Sequence, residues 1–262
     1  MGLLKKFFKV VGVLLLICIV GNLVFIGYLY IDSINNQEKN KTLISKIESF
    51  ESTNSNHYYK YSITFNKHGD FTTGFKYLNK AVELEPEMHL GYRGWIHLRK
   101  LRNYDKALSD FNRLDSLTPN FTDAPWNEDI DFLRGECYFG KKDYKTAIEH
   151  FNQSIINQNG EEWADVQTLV YLGICEYKLE NYNKAIIEFK RALKQSEYTC
   201  EAHFWLAKIY FKQNNYELAN QHILKGEENI EYKRDDVYNE YLNELYLYEI
   251  IELKEQVNRI KV

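Results

Sequence analysis

The chain has 262 residues, 45% of them apolar and 27% charged, with a formal net charge of −4, three prolines, thirteen glycines and four cysteines. So few backbone breakers exclude turn-rich sandwiches and barrels, and the aromatic and apolar content excludes a disordered chain. Four cysteines exclude a disulfide scaffold, and the acidic balance gives no electrostatic basis for binding nucleic acid.

Residues 10–31 read VVGVLLLICIVGNLVFIGYLYI, twenty-two residues without a charge. As a helix they extend about 33 Å, enough to cross a hydrocarbon core of about 30 Å. Asn22 is the one strongly polar side chain in the run, and Tyr28 and Tyr30 stand where an aromatic belt meets the interface. Lys5, Lys6 and Lys9 precede the run, whereas its far side opens with Asp32 and has no Lys or Arg before Lys39. Residues 1–31 therefore read as a cytoplasmic tail and a transmembrane signal anchor, in contact with the lipid bilayer through residues 10–31. The rest of this single-pass membrane protein is expected outside the cytoplasm, in the periplasm if the cell is Gram-negative. Cleavage sites are poor matches here, and Ile17 spoils the lipobox-like Leu15-Leu16-Ile17-Cys18. All 37 acidic but only 30 of the 33 basic residues follow the run, which leaves the exposed part a formal −7.

Residues 32–54 form a juxtamembrane spacer, with Leu43, Ile44, Ile47 and Phe50 at helical spacing. The segment Ser52 to Asn56 reads as a loop and helix start.

Beyond this point the chain repeats. Five tracts place an aromatic residue three positions before a small one: Phe71 and Gly74, Tyr104 and Ala107, Tyr144 and Ala147, Tyr182 and Ala185, Tyr216 and Ala219. The small residues are 33, 40, 38 and 34 positions apart. Four residues after each comes a large apolar side chain, namely Leu78, Phe111, Phe151, Phe189 and Ile223. Upstream, Gly135, Gly173 and Ala207 each precede an aromatic-rich helix end and a short polar turn. Pro86 and Pro119 follow helical patterns 33 residues apart. This pattern resembles the tetratricopeptide repeat family, whose unit is a pair of antiparallel helices. Small side chains let the two helices approach, and aromatic residues fill the space toward the next pair.

The resemblance implies an all-α solenoid of about five helix pairs over residues 55–232. The units lie near 55–87, 88–120, 128–161, 166–199 and 200–232, so the likeness covers about 175 residues. The departures are Ser62 and Gly74 in the first unit, Gly226 in the last, and two long loops, FTDAPWNED and NQNGEEWAD. Residues 233–262 are expected to form a C-terminal capping helix that begins at Asp235 and Asp236 and ends near Asn258. Its apolar segment from Tyr241 to Ile251 offers a second use, as the contact of a homodimer.

Motifs for chemistry are few. The seven histidines form no His-Glu-x-x-His pair, and no G-x-S-x-G, phosphate loop or G-x-G-x-x-G occurs. Cys137 and Cys175 occupy matching repeat positions and read as small core residues, while Cys200 reads as exposed. No obligatory disulfide, metal, cofactor or enzymatic activity is expected.

A repeat array instead offers a surface. In the family the first helices line the inner face, and helix phase brings to it Tyr59 and Lys67; Tyr92, Arg99 and Lys100; and Phe132 and Phe139. Tyr177 and Lys178, then Phe204, Lys208, Phe211 and Lys212, continue the row. Aromatic anchors beside basic groups suit a protein or peptide with acidic character. The family's carboxylate clamp is not implied, because its places in the first unit hold Tyr59 and Ile63. The expected function is a membrane-anchored scaffold or adaptor that binds another protein or peptide, in secretion or envelope assembly. A self-assembling homodimer is the alternative, and an enzyme with an unrecognised site is the third class.

Overall fold

The computed structural model describes residues 35, 38, 39, 42, 53–160, 162–233 and 241–260. It separates into two units, Met1–Thr53 and Asn54–Val262. In the first unit Asn35, Glu38, Lys39 and Thr42 are helical, and Thr42 Oγ1 donates to the Glu38 carbonyl at 3.0 Å. The membrane span expected at 10–31 and the apolar spacer residues Leu43, Ile44, Ile47 and Phe50 lie outside the described residues. No helix among the described residues is long and apolar enough to cross a membrane.

The second unit is an all-helical solenoid, with no strand among the described residues. Its first pair is α1 (Ser55–Lys67) and α2 (Phe71–Leu84), and its second is α3 (Pro86–Arg99) and α4 (Tyr104–Leu117). Then come α5 (Ile130–Gly140) with α6 (Tyr144–Asn157), α7 (Val166–Lys178) with α8 (Tyr182–Gln195), and α9 (Cys200–Lys212) with α10 (Tyr216–Glu228). A last helix, α11, spans Leu247–Ile260.

One turn chemistry joins the helices of every pair. Gly69, Arg102, Lys142, Glu180 and Asn214 each take a positive φ, between 51° and 79°, which lets the chain reverse in three or four residues. In four of the five pairs the next residue caps the second helix with its side chain. Asp70, Asn103, Asp143 and Asn215 each accept a hydrogen bond from the backbone N–H three residues on, and so satisfy a donor the helix cannot pair itself. The aromatic residue of each repeat tract is then the first residue of the second helix.

Close approach holds each pair together. A Cβ on Gly94, Gly135 or Gly173 would come within 2.5–2.6 Å of the ring of Phe111, Phe151 or Phe189. The three rings are fully buried, and each burial contributes about 1.5–3 kcal/mol. Every second helix also packs against the first helix of the next pair, and α11 packs on α10 as the first helix of a sixth pair would. First helices reach one another across the stack, α3 to α5 and α7 to α9, whereas second helices make less contact with each other. The stack therefore bends with its first helices inside.

The C-terminal segment differs from expectation. Asp235 and Asp236 lie outside the described residues, and Tyr241 to Tyr246 are not helical. Tyr241 and Leu245 are buried, and the Leu242 N–H is satisfied by the Tyr171 hydroxyl on α7 and not by a helix carbonyl. The capping helix begins only at Leu247. Its Ile250, Leu253 and Val257 are buried, whereas Tyr246, Leu247, Tyr248 and Ile251 are exposed, which divides the apolar run expected to act as one surface.

Candidate functional site

Three clusters lie along the inner face. At its start, Tyr59 on α1 meets His89 and Tyr92 on α3, with ring centroids 5.0 and 5.2 Å apart. Trp126 in the loop before α5 covers Tyr92 and Trp95 at 5.9 and 5.6 Å, yet remains 54% exposed and takes a φ of 58°. Burial pushes the Tyr92 hydroxyl up to about 12. Nearby, Ser55 Oγ donates to Glu85 at 2.5 Å and lies 2.9 Å from His89 Nε2. Glu85 thus bonds the serine and not the histidine, so the three do not form a nucleophile–base–acid relay.

The middle of the face holds a buried ionic cluster. Arg99 Nη2 lies 3.0 Å from Glu128 Oε1 and 2.6 Å from Glu136 Oε2, and neither Arg99 nor Glu136 is exposed. Tyr171 donates its hydroxyl to Glu136 Oε1 at 2.6 Å. Two carboxylates share one guanidinium here, so burial outweighs the attraction of Arg99 and raises the Glu136 carboxyl to about 7. The Tyr241 ring lies 4.3 Å from the Arg99 guanidinium and seals it from solvent. Arg99 was expected to meet a ligand in an open groove; it is instead at the centre of this cluster.

The far end is open. Tyr177 and Trp205 meet edge to face at 4.9 Å, and Tyr182 lies 5.5 Å from Tyr177. Lys208 Nζ stands 4.5 Å from the Trp205 ring and 5.1 Å from Phe204, while Lys178 Nζ is 5.6 Å from Trp205. Lys212 Nζ donates to the Tyr182 hydroxyl at 3.4 Å. Burial, then the neighbouring Lys178, lowers the Lys208 ammonium below its ordinary value. Between this patch and residues 242–245 lies a cleft of about 330 Å³, whose walls include Phe139, Ile174, Lys178 and Trp205. Cations held over aromatic faces in such a cleft can receive a carboxylate and an apolar side chain together.

Of the residues expected to bind, the structure brings together Tyr177, Lys178, Phe204, Lys208 and Lys212. Phe204 and Phe132 are nearly fully buried, so they support the face more than they line it. Tyr59 and Tyr92 belong to the separate aromatic cluster. Phe211 packs on Tyr216 of its own pair, and Lys67 and Lys100 stand at the ends of their helices. Phe139 reaches the cleft and also packs on Tyr171 at 5.0 Å. Trp205 and Trp126 were not among the residues expected to bind, Tyr182 was read only as a repeat aromatic, and Tyr241 only as the start of an apolar helical segment. Trp205 was accessible from the sequence, because spacings of three and seven place it on one helix face with Lys208 and Lys212. Cys200, expected to be exposed, is fully buried, and burial pushes its thiol well up, as it does for Cys137 and Cys175. Among the described residues no three His, Cys, Asp or Glu side chains converge as a metal site would require.

Comparison with known proteins shows an all-helical solenoid similar in fold to those of tetratricopeptide repeats. The tetratricopeptide repeat family model matches residues 172–226. Curated proteins give no match. Among solved structures, MamA residues 41 to end from Desulfovibrio magneticus RS-1 superposes with a TM-score of 0.58 at 18% identity, over 69% of this chain and 97% of that one. PilW, described as a widely conserved type IV pilus biogenesis factor, gives 0.59 at 17% identity, over 78% of this chain and 84% of that one. A tetratricopeptide repeat protein from Parabacteroides merdae ATCC 43184 gives 0.57 at 18% identity, over 78% and 76%. At these identities the likeness is one of fold.

Proposed function

We infer that the chain is a non-enzymatic scaffold that captures a segment of another protein on its first-helix face and holds it at a membrane. The observation that carries this reading is the convergence of Lys178, Lys208 and Lys212 on Tyr177, Tyr182 and Trp205 beside an open cleft. Rigid rings supply contact area at little entropic cost, and three cations in a net-acidic chain select a partner segment that carries carboxylates. The uncharged run at 10–31, with three lysines before it, supports a membrane anchor and a repeat unit outside the cytoplasm. PilW's description as a pilus biogenesis factor accords with a role in envelope assembly.

Replacing Trp205 and Lys208 together with Ala should weaken partner binding at least tenfold, with helicity unchanged by circular dichroism. Unaltered binding would remove the patch from the interface. A second reading, self-association, draws on the exposed row of Tyr246, Leu247, Tyr248 and Ile251 at the start of α11. In light scattering, a mass that does not change with concentration would discard it.

A further inference from the structure

The inner face is already occupied over part of its length by the chain's own residues 241–245. The Tyr241 ring covers Arg99, at the end of α3, and its hydroxyl lies 3.5 Å from Glu128 before α5. The Leu242 N–H donates to the Tyr171 hydroxyl on α7 at 3.0 Å. Asn243 Nδ2 donates to Gln167 Oε1, also on α7, at 2.9 Å, and Gln167 Nε2 reaches Glu201 on α9 at 3.4 Å. Glu244 pairs with Lys233 at 2.5 Å, and Leu245 is buried. The segment runs non-helically across three successive repeats, anchored by alternating side chains and one backbone N–H. An extended peptide ligand is held in the same way.

The surface beneath it is of a kind from which a ligand can leave. Apolar Ile250, Leu253 and Val257 hold α11 to the stack, and their separation would expose a core. Arg99, Tyr171, Gln167 and Glu201 face residues 241–245, and water can take up the polar contacts of Tyr171, Gln167 and Glu201 once the segment departs. Arg99 itself retains Nε and Nη1 without a hydrogen-bond partner.

We propose that this face recognises an extended protein segment of aromatic–apolar–amide–acidic–apolar pattern, that Tyr241–Leu245 is a resident copy of that ligand, and that a partner carrying the pattern binds by displacing it. The proposal rests on the scaffold reading and specifies the ligand and its competitor. Occupancy by the resident reduces the apparent affinity for the partner by the fraction of time that the face is open.

The test uses the full-length chain in detergent and a fluorescein-labelled peptide of residues 239–247, with a scrambled peptide as control. Fluorescence anisotropy should show the peptide binding the Tyr241→Ala/Asn243→Ala variant at least tenfold more tightly than the unaltered chain. Tyr171→Phe in that variant should weaken the peptide again, and the scrambled peptide should bind neither chain. Equal affinity for variant and unaltered chain, or no binding to either, overturns the proposal. If the double variant does not fold, hydrogen exchange of the unaltered chain decides. The Leu242 amide should exchange at least a hundredfold faster than the core amides of α7, and exchange only through global unfolding overturns the proposal. A partner that needs Trp205 and Lys208 while the 239–247 peptide is ignored would also overturn it, and would leave the scaffold reading standing.

Discussion

Gly94, Gly135 and Gly173 each press backbone against a phenylalanine ring, and that contact recurs in the three middle pairs, where the first helix lacks one side chain. Gly173→Ala places a methyl group 2.5 Å from Phe189, inside a pair with no space to receive it. The variant should lose about 1–3 kcal/mol of stability, read from the urea midpoint at unchanged slope. An unshifted midpoint would show that the ring moves freely and that the pair is not close-packed. The small residues at 135 and 173 were legible in the sequence, because small and large residues at fixed spacing encode volume locally, whereas Gly94 was not read as their counterpart. Arg99 was not legible: its helix phase pointed inward correctly, but its burial depends on Glu136 and Tyr241, 37 and 142 positions away.

At the scale of elements, the five pairs were legible from their turns. Each aromatic–small tract begins a second helix, and in four of the five the Asp or Asn before it caps that helix. The last pair carries a feature that spacing did not disclose. His203 on α9 and His222 on α10 place their Nδ1 atoms 2.9 Å apart, and Tyr210 stacks on His222. Burial, then the neighbouring His203, depresses His222 to about 4, and burial also lowers His203. A depressed imidazole stabilises the fold fully above its unfolded value near 6.5, and that contribution is lost as pH falls toward 4. The α9–α10 pair should therefore loosen in acid. His222→Phe should shift the midpoint of acid unfolding monitored by circular dichroism to lower pH. An unchanged midpoint would place the acid-sensitive groups elsewhere. The start of α11 was misread for a related reason: helical periodicity across Tyr241–Ile251 is real, but tertiary partners on α7 and at Arg99 draw the first residues out of the helix.

For the whole molecule, a spacing of 33–40 residues was enough to give the solenoid, since each pair must bury its open face against the next. Which part of the inner face stays open was not legible. That depends on where the chain returns after α10, and no local pattern records such a return. The surface consequently divides into an aromatic cluster at Trp126, an ionic centre covered by Tyr241, and an open lysine–tryptophan patch at Trp205. If that patch is the partner surface, a photo-reactive amino acid at position 205 should cross-link a partner in cells, whereas the same group at Ile187, exposed on a second helix, should not. Equal cross-linking from both positions, or from 187 alone, would contradict the assignment of partner binding to the inner face.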